Sequence, residues 1–197
     1  MASAPLIDPF LVLHAARVKG FADGPSLAAF CGVDDRSVAF AVDQLSRTGL
    51  IRFREGRLAG WSLTPQGRDR HAELIARERE EGGAAFVREG YARFLTVNDD
   101  LKDVCTRWQL DGRSPPLLAR LEGLHGAVVE IVGVLARGRR RFAVYRHRFD
   151  AARDRVVAGD DAAMTRPLTG SYHDVWMELH EDLLVTLGLD RGADDGA

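Results

Sequence analysis

Two sets of residues in this chain of 197 amino acids have types and spacings that can do chemistry. The first is basic and polar. Arg36, Ser37, Phe40, Gln44 and Arg47 fall on one face of a single helical stretch, and Arg52, Arg54 and Arg57 follow close behind. Guanidinium groups carry a fixed charge on a planar fork of donors, so this set suits phosphate oxygens and the acceptor edges of bases. The second set lies near the C-terminus, where the run 171–184 (SYHDVWMELHEDLL) mixes two His, two Glu and two Asp.

Helical projection separates the members of that second set. Tyr172, Val175, Trp176, Leu179, Leu183 and Leu187 form an apolar arc with His173 and His180 on its flank, while Asp174, Glu178, Glu181 and Asp182 fall on the other side. Histidines seven residues apart stand ~10.5 Å apart along a helix axis, too far to share one metal ion easily. Glu122-x-x-His125 supplies a further His on an apolar helix, but a carboxylate-bridged metal pair needs two such motifs and only one is present. No metal and no cofactor are expected. Without a nucleophile or a motif of catalytic spacing, the chain is not expected to be an enzyme.

Two readings of the inward polar residues then stand side by side. The histidines can satisfy one another across helices in a partly buried core. Alternatively, Trp108, His125, Tyr145, Tyr172, His173, Trp176 and His180 line a small-molecule pocket. Arg146 and Arg153, seven residues apart at the edge of the stripe of Phe142 and Phe149, would then clamp a small anionic or aromatic effector, or else pair with Glu. The tract Arg137 to Arg141 reads as a solvated turn.

These residues require particular elements to hold them. Pro9 to Val18 makes a first helix. Pro25-Ser26 opens a short second one, ended by Gly32, and Asp34 or Asp35 caps a third in which Val38, Ala41, Val42 and Leu45 form the buried stripe. Gly49 closes it. Leu50 to Arg54 and Leu58 to Leu63 read as two strands around a turn at Glu55-Gly56-Arg57, after which Thr64-Pro65 starts a long charged helix. This run resembles MarR- and PadR-type bacterial regulators through Ser37-Val38, Leu45, Gly49-Leu50-Ile51, the two-stranded wing and Leu63-Thr64-Pro65-x-Gly67-Arg68. The resemblance covers about the first third of the chain. It implies a winged helix-turn-helix that reads double-stranded DNA.

Gly82-Gly83 marks a boundary, giving a winged domain with its exit helix at 1–81 and a helical domain at 82–197. The expected fold class is therefore mainly α with a small β-wing, an N-terminal winged helix-turn-helix followed by an α-helical bundle. In the second part Asn98 is expected to cap a helix broken at 111–116, followed by helices over 117–135 and roughly 140–157, a loop at 165–170, and a last helix opened by Ser171-x-x-Asp174. The stretch from Asn98 to Leu110 (NDDLKDVCTRWQL) is similar to a segment found with a winged unit behind PEP-utilising dikinase-like proteins of actinobacteria. That likeness implies a recurring module with a regulatory role in carbon metabolism.

Composition sets the outer limits. With 27 Lys plus Arg against 29 Asp plus Glu, the net charge is -2, so nucleic-acid binding must come from local arrangement of charge and not from a basic body. No apolar run approaches the ~20 residues of a membrane span, and no leader is visible. Cys31 and Cys105 lie far apart in apolar stretches, as expected of reduced thiols in the cytoplasm. The sequence thus points to a homodimeric DNA-binding regulator whose helical domain pairs subunits and senses an effector. The alternative is a protein-protein interaction module acting on a metabolic enzyme, favoured by Asp34, Asp35 and Asp43 around the third helix, which would repel phosphates.

Overall fold

The structure, a computed structural model, describes residues 7–56 and 59–190. It is mainly helical with one small antiparallel sheet, and the chain divides into two compact units, Met1–Glu81 and Gly82–Ala197.

The first unit begins with α1 (Pro9–Lys19), capped by Asp8. Helix α2 (Gly24–Cys31) starts one residue before Pro25, because the Asp23 carboxylate accepts the Ser26 amide hydrogen at 2.9 Å and so fixes the first turn. Gly32 ends α2 in a left-handed conformation, φ 68°. Helix α3 (Asp35–Arg47) is capped by Asp34, and its stripe of Val38, Ala41, Val42 and Leu45 is buried. Strands β1 (Ile51–Arg54) and β2 (Gly60–Leu63) pair antiparallel, with Ile51 opposite Leu63 and Phe53 opposite Trp61. Ala22 adds a single bridge to the other side of β2, exchanging two backbone hydrogen bonds with Trp61. Its backbone lies so close that a Cβ at Gly60 would stand 2.8 Å from the Ala22 carbonyl oxygen.

Helix α4 (Pro65–Glu80) completes the unit and explains the Thr-Pro-x-Gly sequence at its start. The Thr64 hydroxyl accepts the Gly67 amide hydrogen at 3.0 Å and donates to the Gly49 carbonyl at 2.6 Å, so one side chain caps α4 and ties down the turn between α3 and β1. Gly67 packs directly on the Leu50 carbonyl, whose oxygen would lie 1.9 Å from any Cβ there. Inside this unit, His14 of α1 and His71 of α4 are buried and meet ring nitrogen to ring nitrogen at 2.9 Å, with Phe10 stacked on His71.

The second unit is built on α5 (Ala84–Asp111), α6 (Pro115–Gly138), α7 (Val144–Val157) and α9 (Tyr172–Leu187), with a 3-10 turn at Arg140–Ala143 and the short α8 (Ala162–Thr165) between them. Ser171 and Asp174 form the expected reciprocal capping box of α9. Asn98, expected to begin a helix, lies inside α5 instead. No Gly or Pro interrupts the chain between Gly90 and Gly112, and Tyr91, Phe94, Asn98, Leu101, Cys105 and Trp108 follow in one helical phase, so the helix continues and Asn98 turns toward the core.

The basic tract is a second departure. Arg139 is buried, and its guanidinium donates to the carbonyls of Gly82 and Gly138; Arg141 reaches the buried Asp182 at 3.4 Å and the Thr186 hydroxyl at 2.7 Å. This turn is fastened into the unit rather than solvated, because the end of α6 meets the Gly82-Gly83 backbone too closely for either Gly83 or Gly138 to carry a Cβ.

Candidate functional site

Helix α3 and strand β1 of the first unit each turn a side to solvent. Capping by Asp34 sets the phase of α3, and with its apolar stripe turned inward the opposite face presents Arg36, Ala39, Phe40, Asp43, Gln44 and Arg47 to solvent. Ser37 is not on that face. It is 2% exposed, its hydroxyl donating to the Asp34 carboxylate at 3.0 Å, because the third helical position points back at the cap. Its part is to complete the cap, not to contact a ligand. Those bonds from the Ser37 backbone and hydroxyl hold the Asp34 carboxyl below its ordinary range.

Only Thr48, Gly49 and Leu50 separate α3 from β1. The turn is fixed by the Leu50 amide donating to Leu45, by Gly49 at φ 72°, and by the Thr64 hydroxyl, so helix and hairpin are held as one piece. On β1, Arg52 and Arg54 are exposed, as their alternation requires. Phe53 is half-exposed although it shares the inward side with Ile51, and its ring meets Trp61 edge to face at 5.1 Å. Arg57 lies outside the described residues. Among the described residues, Arg36, Arg52 and Arg54 make no ion pair and no side-chain hydrogen bond. Arg47 is paired with Asp43, which faces it from one turn earlier.

In the second unit Trp108, His125, Tyr145, Tyr172, Trp176 and His180 are buried, and the first five of them find hydrogen-bond partners within the protein. Trp108 donates its indole hydrogen to the Asp161 carbonyl at 3.2 Å, and Trp176 donates to Asn98 at 3.1 Å. The Tyr145 hydroxyl donates to the Asp182 carboxylate at 3.1 Å, and burial together with that acid pushes its phenol well above the ordinary range. His180 is buried in an aromatic stack, 5.0 Å from the Phe94 ring. His173 is half-buried.

His125 joins the core to the surface. Its Nε2 stands 3.0 Å from Asp150, and its Nδ1 stands 3.3 Å from the Tyr172 hydroxyl. Burial pushes the Tyr172 phenol up, so it keeps its proton. The consistent assignment is Nε2–H donating to the carboxylate and Nδ1 accepting from the phenol. Burial raises Asp150, but hydrogen bonds from Arg146 and His125 outweigh it and leave its carboxyl lowered.

Arg146 and Arg153 do not make a shared clamp. Arg146 binds Asp150 with its Nε at 2.9 Å, while Arg153 lies 3.3 Å from Asp154 and 3.7 Å from Glu122. Each guanidinium has carboxylates of its own, Arg146 one turn along α7 and Arg153 both next to it on α7 and across on α6.

Sequence projection missed Asp182, which it set on a solvent side of the last helix. It is 1% exposed, because α9 packs on α7 as well as on α5, so two of its faces are covered. The available signal was the arginine at 141, a charge that needs such a partner. Among the described residues, no group of three or more His, Cys, Asp or Glu side chains is placed to hold a metal ion, and no helix is long and apolar enough to cross a membrane. Burial pushes the Cys105 thiol up to about 12, which leaves it an unreactive core group. No family model, curated protein or solved structure matches the chain.

Proposed function

We propose that the protein is a cytoplasmic DNA-binding transcriptional regulator with an N-terminal winged helix-turn-helix of the MarR/PadR kind. In this reading α3 enters the major groove and the hairpin tracks the neighbouring backbone. The observation that carries the proposal is the shared exposure of Arg36, Arg52 and Arg54 on one helix-turn-hairpin, without a carboxylate among the described residues to neutralise them. Cations kept free of internal partners are what phosphate contact requires.

Two such heads, carried by a homodimer, would read half-sites about one helical turn, ~34–36 Å, apart. The helical unit is the proposed pairing element. An anionic or aromatic effector fits the surface end of the His125–Asp150–Arg146 network, where Arg146 is half-exposed and would exchange Asp150 for the ligand.

The test is selection of genomic fragments by the purified protein, followed by titration of the enriched duplex against a scrambled one. A preference of ~10³-fold or more supports a sequence-specific regulator. A second reading, a protein-binding module acting on a metabolic enzyme, is favoured by the half-exposed Phe40 and Phe53 and by the exposed carboxylates of Asp34, Asp35 and Asp43 on and before α3. Binding to no duplex even at low salt would move this reading ahead.

A further inference from the structure

A carboxylate in the middle of a face meant for DNA needs a reason. Asp34 has one, since its oxygens cap α3. Asp43 has no such structural task. Arg36, Phe40, Asp43 and Arg47 follow at i, i+4, i+7 and i+11, which makes them the central stripe of the exposed face. Within it, the Arg47 Nε donates to one Asp43 oxygen at 3.1 Å and the Arg47 terminal nitrogen lies 3.0 Å from the other, a two-point pair held in the open. The side chains are 51% and 78% exposed, so solvent leaves the pair little value for folding.

The chemistry of the pair is complementary to one base pair. A carboxylate only accepts and a guanidinium only donates. In the major groove guanine offers two acceptors, N7 and O6, while its cytosine offers the N4 amino donor. We propose that Asp43 and Arg47 together read a single C·G pair, Arg47 donating to the guanine and Asp43 accepting from the cytosine. This rests on the DNA-binding reading above. The pair carries no net charge, so it adds discrimination while Arg36, Arg52 and Arg54 supply the sequence-independent attraction. A T·A or A·T pair leaves the guanidinium with a single acceptor beside the thymine methyl or with a competing amino donor, and the fit is lost.

The test uses the full chain as wild type, Asp43→Ala and Asp43→Asn. Each is titrated against the selected duplex, its single-pair variants and a scrambled duplex. Wild type is expected to prefer C·G at one position by about tenfold or more. Asp43→Ala is expected to lower that preference severalfold, what remains being the Arg47 contact to guanine, while binding the scrambled duplex more tightly, since a repelling charge has gone. Asp43→Asn is expected to shift the preferred pair toward adenine, whose N7 and N6 a carboxamide matches.

Tighter binding of Asp43→Ala to every duplex with an unchanged preference would overturn the proposal and leave Asp43 a mere repellent. In that case DNA binding itself would stand. Failure of the wild type to bind any duplex at low salt would instead remove the DNA reading and this inference with it.

Discussion

Asn98 and Trp176, 78 residues apart, are joined by a hydrogen bond of 3.1 Å from the indole nitrogen to the carboxamide oxygen, linking the middle of α5 to α9. Trp176 is almost fully buried, with its ring stacked 4.0 Å from Phe94. An indole N–H in that setting has no water to turn to.

Asn98→Ala therefore leaves a buried donor unsatisfied and is expected to cost about 1–3 kcal/mol, reduced a little by the better helix propensity of Ala. Urea unfolding followed by tryptophan fluorescence measures it. A midpoint unchanged from wild type would mean that the bond contributes nothing to holding α5 on α9.

Two glycines in helices are expected to respond in opposite directions. Gly67→Ala drives a Cβ into the Leu50 carbonyl, a backbone group that cannot rotate away, and is expected to cost about 3 kcal/mol or more. Gly126→Ala on α6 meets nothing within 4 Å and is expected to stabilise by about 0.5–1 kcal/mol. Equal effects from both would contradict the packing of Thr64 to Gly67 against the α3–β1 turn.

What could be read in advance was whatever depends on neighbours in sequence. Asp34 before α3, Thr64-Pro65 before α4 and the box of Ser171 and Asp174 all act within three residues, so composition and spacing suffice to find them. Buried polar residues behave otherwise. Asn98 has the look of a cap until Trp176 is brought to it, and Asp182 looks solvated until Arg141 and Tyr145 enclose it. Arg146 and Arg153 suggested a ligand because their carboxylates, though close in sequence or space, could not be seen to engage them. On the α3–β1 face the charges were legible residue by residue. Which of them are neutralised was not, since that depends on rotamers such as the one joining Arg47 to Asp43.

Acid is expected to loosen the first unit from its helix caps. The Asp23 carboxyl is lowered chiefly by the Ser26 hydroxyl and amide, and the Asp34 carboxyl by the Ser37 amide and hydroxyl. Because the folded values lie below the unfolded one, this stability is fully present above the ordinary aspartate range. It is lost as pH falls through the folded values. Urea midpoints should be level down to about pH 5 and fall below about pH 4. Asp34→Ser keeps an uncharged cap and should flatten part of that fall; an identical acid limb would contradict the assignment.

The central claim is that the cations of the α3–β1 surface meet phosphate. The most direct measurement is the salt dependence of duplex binding for the wild type and for the double variant Arg52→Ala/Arg54→Ala. Losing two phosphate contacts should weaken binding to every duplex alike and reduce the slope of log K against log salt by about 2. The same slope and affinity in both proteins would contradict the claim and leave this face without a role on DNA.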